Sequence, residues 1–364
     1  MDFVPLIDAV GETGAAAVGG AVLGLLFGFF AQRTAFCTRS AVLDLTRGRN
    51  PKALAIWAAG FAAAVLGVQI LLYRDALSVV DTRFFGTPQS LSGAVAGGLL
   101  FGVGMALARG CVSRLLVLGA SGNLRALFCI LVTGLVGWAT YDGILVPLRD
   151  WLSSFANTAL IGGNDLLALA GVAQGAGVAI GAALAIVAVA LCLRARPGLW
   201  NILGGIGVGL TIVAGWYFTY DLSTQVFEPI QAESLSFIRP LATTANLAAG
   251  TISSAGLDQG LLAGTLVGAF LAAVLFRDFR IATFAEPGTP SILRYALGSV
   301  LMGFGGILAV GCTIGAGFTG GSVLAITSLL ALASMVTGAA LADRLIDGRV
   351  ATPATLPAKA VPAE

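Results

Sequence analysis

Long apolar runs alternate with short polar breaks along this chain, and the runs have the length that a bilayer dictates. A helix rises about 1.5 Å per residue, so roughly 20 apolar residues, with about 17 to 25 tolerated, cross the hydrocarbon core. Runs at about 15–32, 51–73, 91–108, 124–145, 171–193, 199–220, 261–276, 296–310 and 323–341 predict about nine transmembrane helices. The seventh and eighth are short, which suits tilted, broken or re-entrant segments better than simple spans. The pattern predicts an all-α polytopic membrane protein with one membrane domain over 1–350. The Ala- and Pro-rich tail, 351–364, is expected to be disordered, and no soluble domain is expected.

The polar breaks orient the spans. Arg39, Arg47, Arg49 and Lys52 follow the first run, and nothing basic precedes it, so the positive-inside bias predicts an external N-terminus. Counting forward puts three basic groups on the cytoplasmic side: Arg109, Arg114 and Arg125, then Arg194 and Arg196, then Arg277, Arg280 and Arg294. Arg344, Arg349, Lys359 and the C-terminus join them. The stretch 221–260 carries Asp221, Glu228, Glu233 and Asp258 against Arg239 alone, and falls outside. The opening MDFVPLIDAVGETG is acidic, so the first span, rather than a cleaved leader, is expected to act as the targeting signal.

Composition narrows the function. Only 10% of residues are charged, too few for a water-facing surface, and the net charge of +2 gives no reason to expect a nucleic-acid partner. The absence of histidine removes histidine zinc sites, bis-histidine haem and Ser-His or Cys-His nucleophiles. Five cysteines, Cys37, Cys111, Cys129, Cys192 and Cys312, include no C-x-x-C pair, so neither a redox dithiol nor a disulfide framework is indicated. No metal or cofactor is expected.

Three of these cysteines end a repeated block. GLLFGFFAQRTAFC stops at Cys37, GLLFGVGMALARGC at Cys111 and SVLMGFGGILAVGC at Cys312, each with a glycine (Gly28, Gly102, Gly303) nine residues earlier. LLYRD at 71–75 precedes Cys111 much as VLFRD at 274–278 precedes Cys312. The predicted topology runs the Cys111 span inward and the Cys312 span outward. This reads as an inverted repeat of four plus four helices, a first half at about 15–145 and a second at about 199–341, linked by the span at 171–193. Such repeats place a substrate site near the midplane at the repeat interface, so Cys111 and Cys312 are expected to approach one another there, with Cys37 joining them.

The residues after these cysteines suit an anion. CTIGAGFTGGS and CVSRLLVLGASGN predict a loop or break whose backbone N–H groups are free to hold negative charge, with Thr38, Ser113 and Thr313 adding hydroxyls. A protonated thiol is a weak donor, matched to a polarizable sulfur on the anion, and weak repeated contacts permit passage. Gly110, Gly311, Gly315 and Gly317 are the glycines expected to shape this backbone. Arg109 and Arg114 flank Cys111 and read either as anion ligands or as an interfacial pair that sets topology. Arg33 and Arg39 read as interfacial, and Cys129 and Cys192, in plain apolar runs, as packing residues.

RTAFCTRS, ARGCVSRLLVLGASGNLRAL, LMGFGGILAVGCTIGAGFTGG and LFRDFR together resemble the YeeE/YedE family of sulfur-compound transporters, over essentially the whole membrane core. One departure is Ala316, where the family's third motif commonly has histidine or another polar residue. The resemblance implies uptake of thiosulfate or a related sulfur anion across a bacterial inner membrane, past Cys37, Cys111 and Cys312. It also implies a small cytoplasmic TusA-like sulfurtransferase as a partner, besides membrane lipid. Two readings compete with it: a channel for another small anion such as sulfite, its cysteines only packing, and a membrane thiol or sulfur-transfer enzyme using one cysteine as nucleophile. The missing dithiol and histidine base weigh against the enzyme.

Overall fold

The computed structural model describes residues 3–48, 50–227, 230–252 and 254–347. The tail at 351–364, with Arg49, Glu228, Arg349 and Lys359 of the charge pattern, lies outside them. Among the described residues, nine helical stretches are long and apolar enough to cross a membrane, and the chain is a multi-pass membrane protein. The first half comprises α1 (Val4–Arg33), α2 (Thr38–Thr46), α3 (Lys52–Tyr73), α4 (Leu91–Leu107), α5 (Val112–Ala120) and α6 (Leu124–Tyr141). Short α7 (Val146–Ser153) and α8 (Leu166–Leu169) lead to α9 (Gly175–Ala195). The second half comprises α10 (Leu199–Ser223), α11 (Ile238–Ala248), α12 (Leu257–Leu275), α13 (Ile292–Leu308), a π-helical segment (Thr313–Gly320) and α14 (Ile326–Ala342).

Two spans depart from the expected lengths. α1 begins at Val4, bends at Gly11 (φ 76°) and is anchored at its start, where the Phe3 N–H donates to Gln225 Oε1 (2.8 Å) and the Phe3 ring meets Phe218. Asp8 and Glu12 lower the hydropathy of that stretch, but docking on α10 holds it helical. The seventh span is not short: α12 starts at Leu257 because its polar first turn is satisfied locally, the Gly256 N–H donating to Gln259 Oε1 (3.0 Å) and Asp258 pairing with Arg239. The eighth run is broken, α13 ending four residues before Cys312.

Contacts between the halves come in matched pairs. α1 packs on α12 as α10 packs on α3; α4 packs on α14 as α13 packs on α6; α4 and α13 meet each other at the centre; and α9 leans on α3 from outside. The α1–α12 contact is closest, because Gly20, Gly24 and Gly28 on one helix and Gly260, Gly264 and Gly268 on the other leave room for backbone against backbone. In a bilayer, where apolar surface gains little by leaving lipid, this close packing is what holds helices together. Ser90 and Ser291 cap α4 and α13 equivalently, accepting from the N–H of Gly93 (2.8 Å) and Arg294 (3.4 Å).

Candidate functional site

Each repeated cysteine lies where a long helix stops. Ala35, Arg109 and Val310, two residues before Cys37, Cys111 and Cys312, take left-handed φ values of 50°, 59° and 58°. The following N–H groups fold back onto the spent helix, Phe36 to the Ala31 carbonyl (3.0 Å), Gly110 to Met105 (3.2 Å) and Gly311 to Gly306 (2.9 Å). A β-branched residue such as Val310 rarely accepts this geometry, so the break is imposed by the surrounding fold. The cysteine that follows is extended and starts a new short helix: Cys37 caps α2, Cys111 caps α5 and Cys312 caps the π-helical segment. The expected loops after Cys111 and Cys312 are therefore helical, and the chain breaks before each cysteine instead of after it. First-turn N–H groups of a helix lack intrahelical partners and favour negative charge.

All three thiols belong to one buried core, Cys312 entirely and Cys111 nearly so. Cys37 and Cys111 are near enough to interact, Ser113 Oγ stands 3.4 Å from Cys111 Sγ, and the half-buried Arg114 is within electrostatic range of both thiols. Arg114 Nη1 also approaches Gln32 Oε1 at 3.5 Å. Around Cys312, the Thr313 hydroxyl is buried without a hydrogen-bond partner among the described residues, and so is that of Ser236. Ser236 lies directly over Gly315, where a Cβ would strike its hydroxyl, and Gly311 admits the Ala316 amide in the same way. Ala316 itself is buried in the π-helical turn, its N–H donating to the Cys312 carbonyl (2.8 Å).

Other expected residues lie elsewhere. Arg109 is exposed and lines a separate cavity of about 200 Å³ with Asn123, Arg125 and Tyr295. Gly110 packs against Leu115 and Gly317 against Leu332. The Thr38 hydroxyl accepts from Trp57 Nε1 (3.1 Å). Cys129 is buried within α6, and Cys192, on α9, is 3.7 Å from the Ala55 carbonyl.

A short helix of the second half starts without a cysteine. Phe237 holds the cap position of α11 that Cys37 holds in α2, without the extended backbone or the preceding left-handed residue, and Arg239 follows Phe237 at the offset by which Arg39 follows Cys37. SFIRP at 236–240 beside FCTRS at 36–40 was the available signal. The irregular strand of chain before it is buried, and hydroxyls bind its backbone: Ser234 Oγ donates to the Ile212 carbonyl (2.7 Å), and Thr319 Oγ1 to the Leu235 carbonyl (2.6 Å). Non-helical backbone at membrane depth requires such internal partners. Arg239 forks onto Glu233 and Asp258, the latter through Nε (3.1 Å) and Nη2 (2.7 Å). Burial opposes its charge, yet the Asp258 and Glu233 carboxylates hold the guanidinium well above its ordinary pKa. At Arg83, whose Nε lies 3.6 Å from Glu233 Oε2, burial prevails and pulls the pKa down.

Two curated proteins are similar over nearly their whole lengths. Thiosulfate transporter TsuA of Spirochaeta thermophila is 28% identical over 350 residues, covering 88% of this chain and 96% of that one. Thiosulfate transporter TsuA of Escherichia coli K12 is 26% identical over 346 residues, covering 90% and 94%. Residues 33–341, from the first cysteine break to the end of α14, match the sulphur transport family, and the chain belongs to it, as its YeeE/YedE-like cysteine motifs foretold.

Proposed function

We propose that this protein is a permease of a bacterial inner membrane that takes up thiosulfate, or a related small sulfur-containing anion, along a path lined by Cys37, Cys111 and Cys312. The observation that carries the reading is that three buried cysteines each stand at the cap of a short helix, directly after a break in a long one. Membership of the sulphur transport family and two relatives named thiosulfate transporters support it. A dianion cannot cross hydrocarbon unaided, and strong ligands would trap it; a conducting site has to bind weakly in several places. Thiol donors meet the terminal sulfur. The first-turn amides beside them, with Ser113 and Thr313, meet the oxygens, and Arg114 offsets charge near Cys37 and Cys111. Gly311 and Gly315 admit backbone close to Cys312; Gly110 and Gly317 serve the same segments.

In this reading the matched halves form an inverted repeat, since a single linking span, α9, turns the second half over. With the N-terminus outside and the C-terminus in the cytoplasm, Cys312 faces the outer end of the path and the Cys37–Cys111 pair the inner end. Arg109 then lies at the cytoplasmic mouth, where a TusA-like sulfurtransferase would collect the anion, and lipid surrounds the rest.

The test is uptake of sulfur-labelled thiosulfate by proteoliposomes containing the intact protein or Cys37→Ala, Cys111→Ala, Cys312→Ala or Cys129→Ala. Uptake is expected to vanish in the first three variants and persist in the fourth. Full uptake in all four would reduce the motif cysteines to packing residues.

A further inference from the structure

The loop between α3 and α4 contains an arginine whose hydrogen-bonding capacity is only partly met. Among the described residues, Arg83 Nε and Nη2 are buried without hydrogen-bond partners. Its neighbour Glu233 stands at ion-pair distance without forming a hydrogen bond, and the remaining face of the guanidinium stacks on the Phe84 ring, 4.8 Å from the centroid. Buried donors left unmatched are costly, and in native structures they ordinarily mark a place that water or an ion fills. Arg83 and Arg239 line a partly open cavity of about 70 Å³ that reaches Val310 and Gly311. About 10–15 Å³ measured this way holds one water, so this cavity accommodates a small polyatomic ion. Gly311 immediately precedes Cys312, and the thiol is within electrostatic reach of Arg83.

The charges around the cavity set how strongly it binds. Arg239 is already engaged by both Glu233 and Asp258, and only Arg83 has donors to spare. Two arginines and two carboxylates sum to zero, so the cavity offers directed N–H donors without a large net field. That suits a station an anion enters and leaves, more than a trap. We propose that this cavity is a binding subsite for a small oxyanion, in which the free Arg83 donors take the oxygens and present the anion to Cys312. Built on the transport reading, it divides recognition in two: the guanidinium selects oxygens and charge, and the thiol beyond selects sulfur.

The experiment pairs equilibrium binding of labelled thiosulfate to the detergent-solubilised protein with initial rates of uptake, for the intact chain, Arg83→Gln and Ile307→Phe. The second variant fills the cavity without altering Arg83, and decides the matter should the first fail to fold. Losing one or two charge-assisted hydrogen bonds is expected to raise both Kd and KM by about tenfold or more, with kcat largely kept. Unchanged Kd and KM in the folded variants would overturn the subsite. If the intact protein binds thiosulfate in an Arg83-dependent way but moves none, the permease reading falls and the subsite stands. If it transports thiosulfate and Arg83→Gln matches it, the subsite alone falls.

Discussion

Gly315→Ala tests the packing around Cys312 with a single methyl group. A Cβ at this position would lie 2.5 Å from Ser236 Oγ and 2.9 Å from Ser236 Cβ. Carbon atoms in good contact sit about 3.5–4.0 Å apart, so the π-helical segment and the chain at Ser236 would have to separate by roughly 1 Å. Overpacking of this kind costs about 1–3 kcal/mol. Glycine-to-alanine replacement at an ordinary φ returns about 0.4–1 kcal/mol through the unfolded chain. The net loss is about 1–2 kcal/mol, which in a chain of this length lowers the thermal midpoint by only about 1–3 °C. Uptake should suffer more than stability, because the methyl group intrudes beside the unpartnered Ser236 hydroxyl. Adding Ser236→Gly removes both close atoms and leaves only Cα, at 3.4 Å. The double variant should therefore come within about 0.5 kcal/mol of Ser236→Gly alone, a deviation from additivity that only contacting residues show. Differential scanning fluorimetry and proteoliposome uptake measure the two effects. A Gly315→Ala protein as stable and as active as the intact chain would refute this account of the site.

Two further substitutions probe the frame that holds the path. Gly264→Leu drives a side chain into the Ala21 carbonyl across the tightest helix pair and should abolish a monodisperse size-exclusion peak, whereas Gly175→Ala, whose Cβ would meet only Tyr73 at 3.6 Å, should leave it intact. Equal profiles for the two would mean that the α1–α12 glycine stripes are incidental. Gln69→Leu removes the 2.8 Å bond from Nε2 to the Ser322 carbonyl inside the core, and stranding that acceptor should cost about 1–3 kcal/mol, read as a lower thermal midpoint with the fold retained.

The spans and their number were legible because a bilayer converts helix length into an apolar run that any tally detects. The cysteine positions stood out for a different reason: at Cys37, Cys111 and Cys312 the preceding glycine and the thiol recur at one spacing, although the break expected after Cys111 and Cys312 lies before them. Where the chemistry changes, the mark disappears. The start of α11 has the same cap position as α2 and the same following arginine, but Phe237 stands at the cap, wholly buried with its ring 4.8 Å from that of Phe27. Its approach, through Glu233 and Ser236, looks aqueous in sequence, since nothing in the local pattern announces that Ser234, Thr319 and Arg239 will satisfy it inside the protein. Arg83 was hidden in the same way, in a polar loop where an arginine has no reason to draw notice until burial leaves its donors unmatched. The asymmetry has a chemical consequence. At the caps of α2, α5 and the π-helical segment a thiol is buried in the core, and at the cap of α11 an apolar ring is, so polar groups near that corner come from Ser236 and the Arg83–Arg239 pair. The two sets of helices share a packing plan while differing in the side chains that stand at the starts of their short helices.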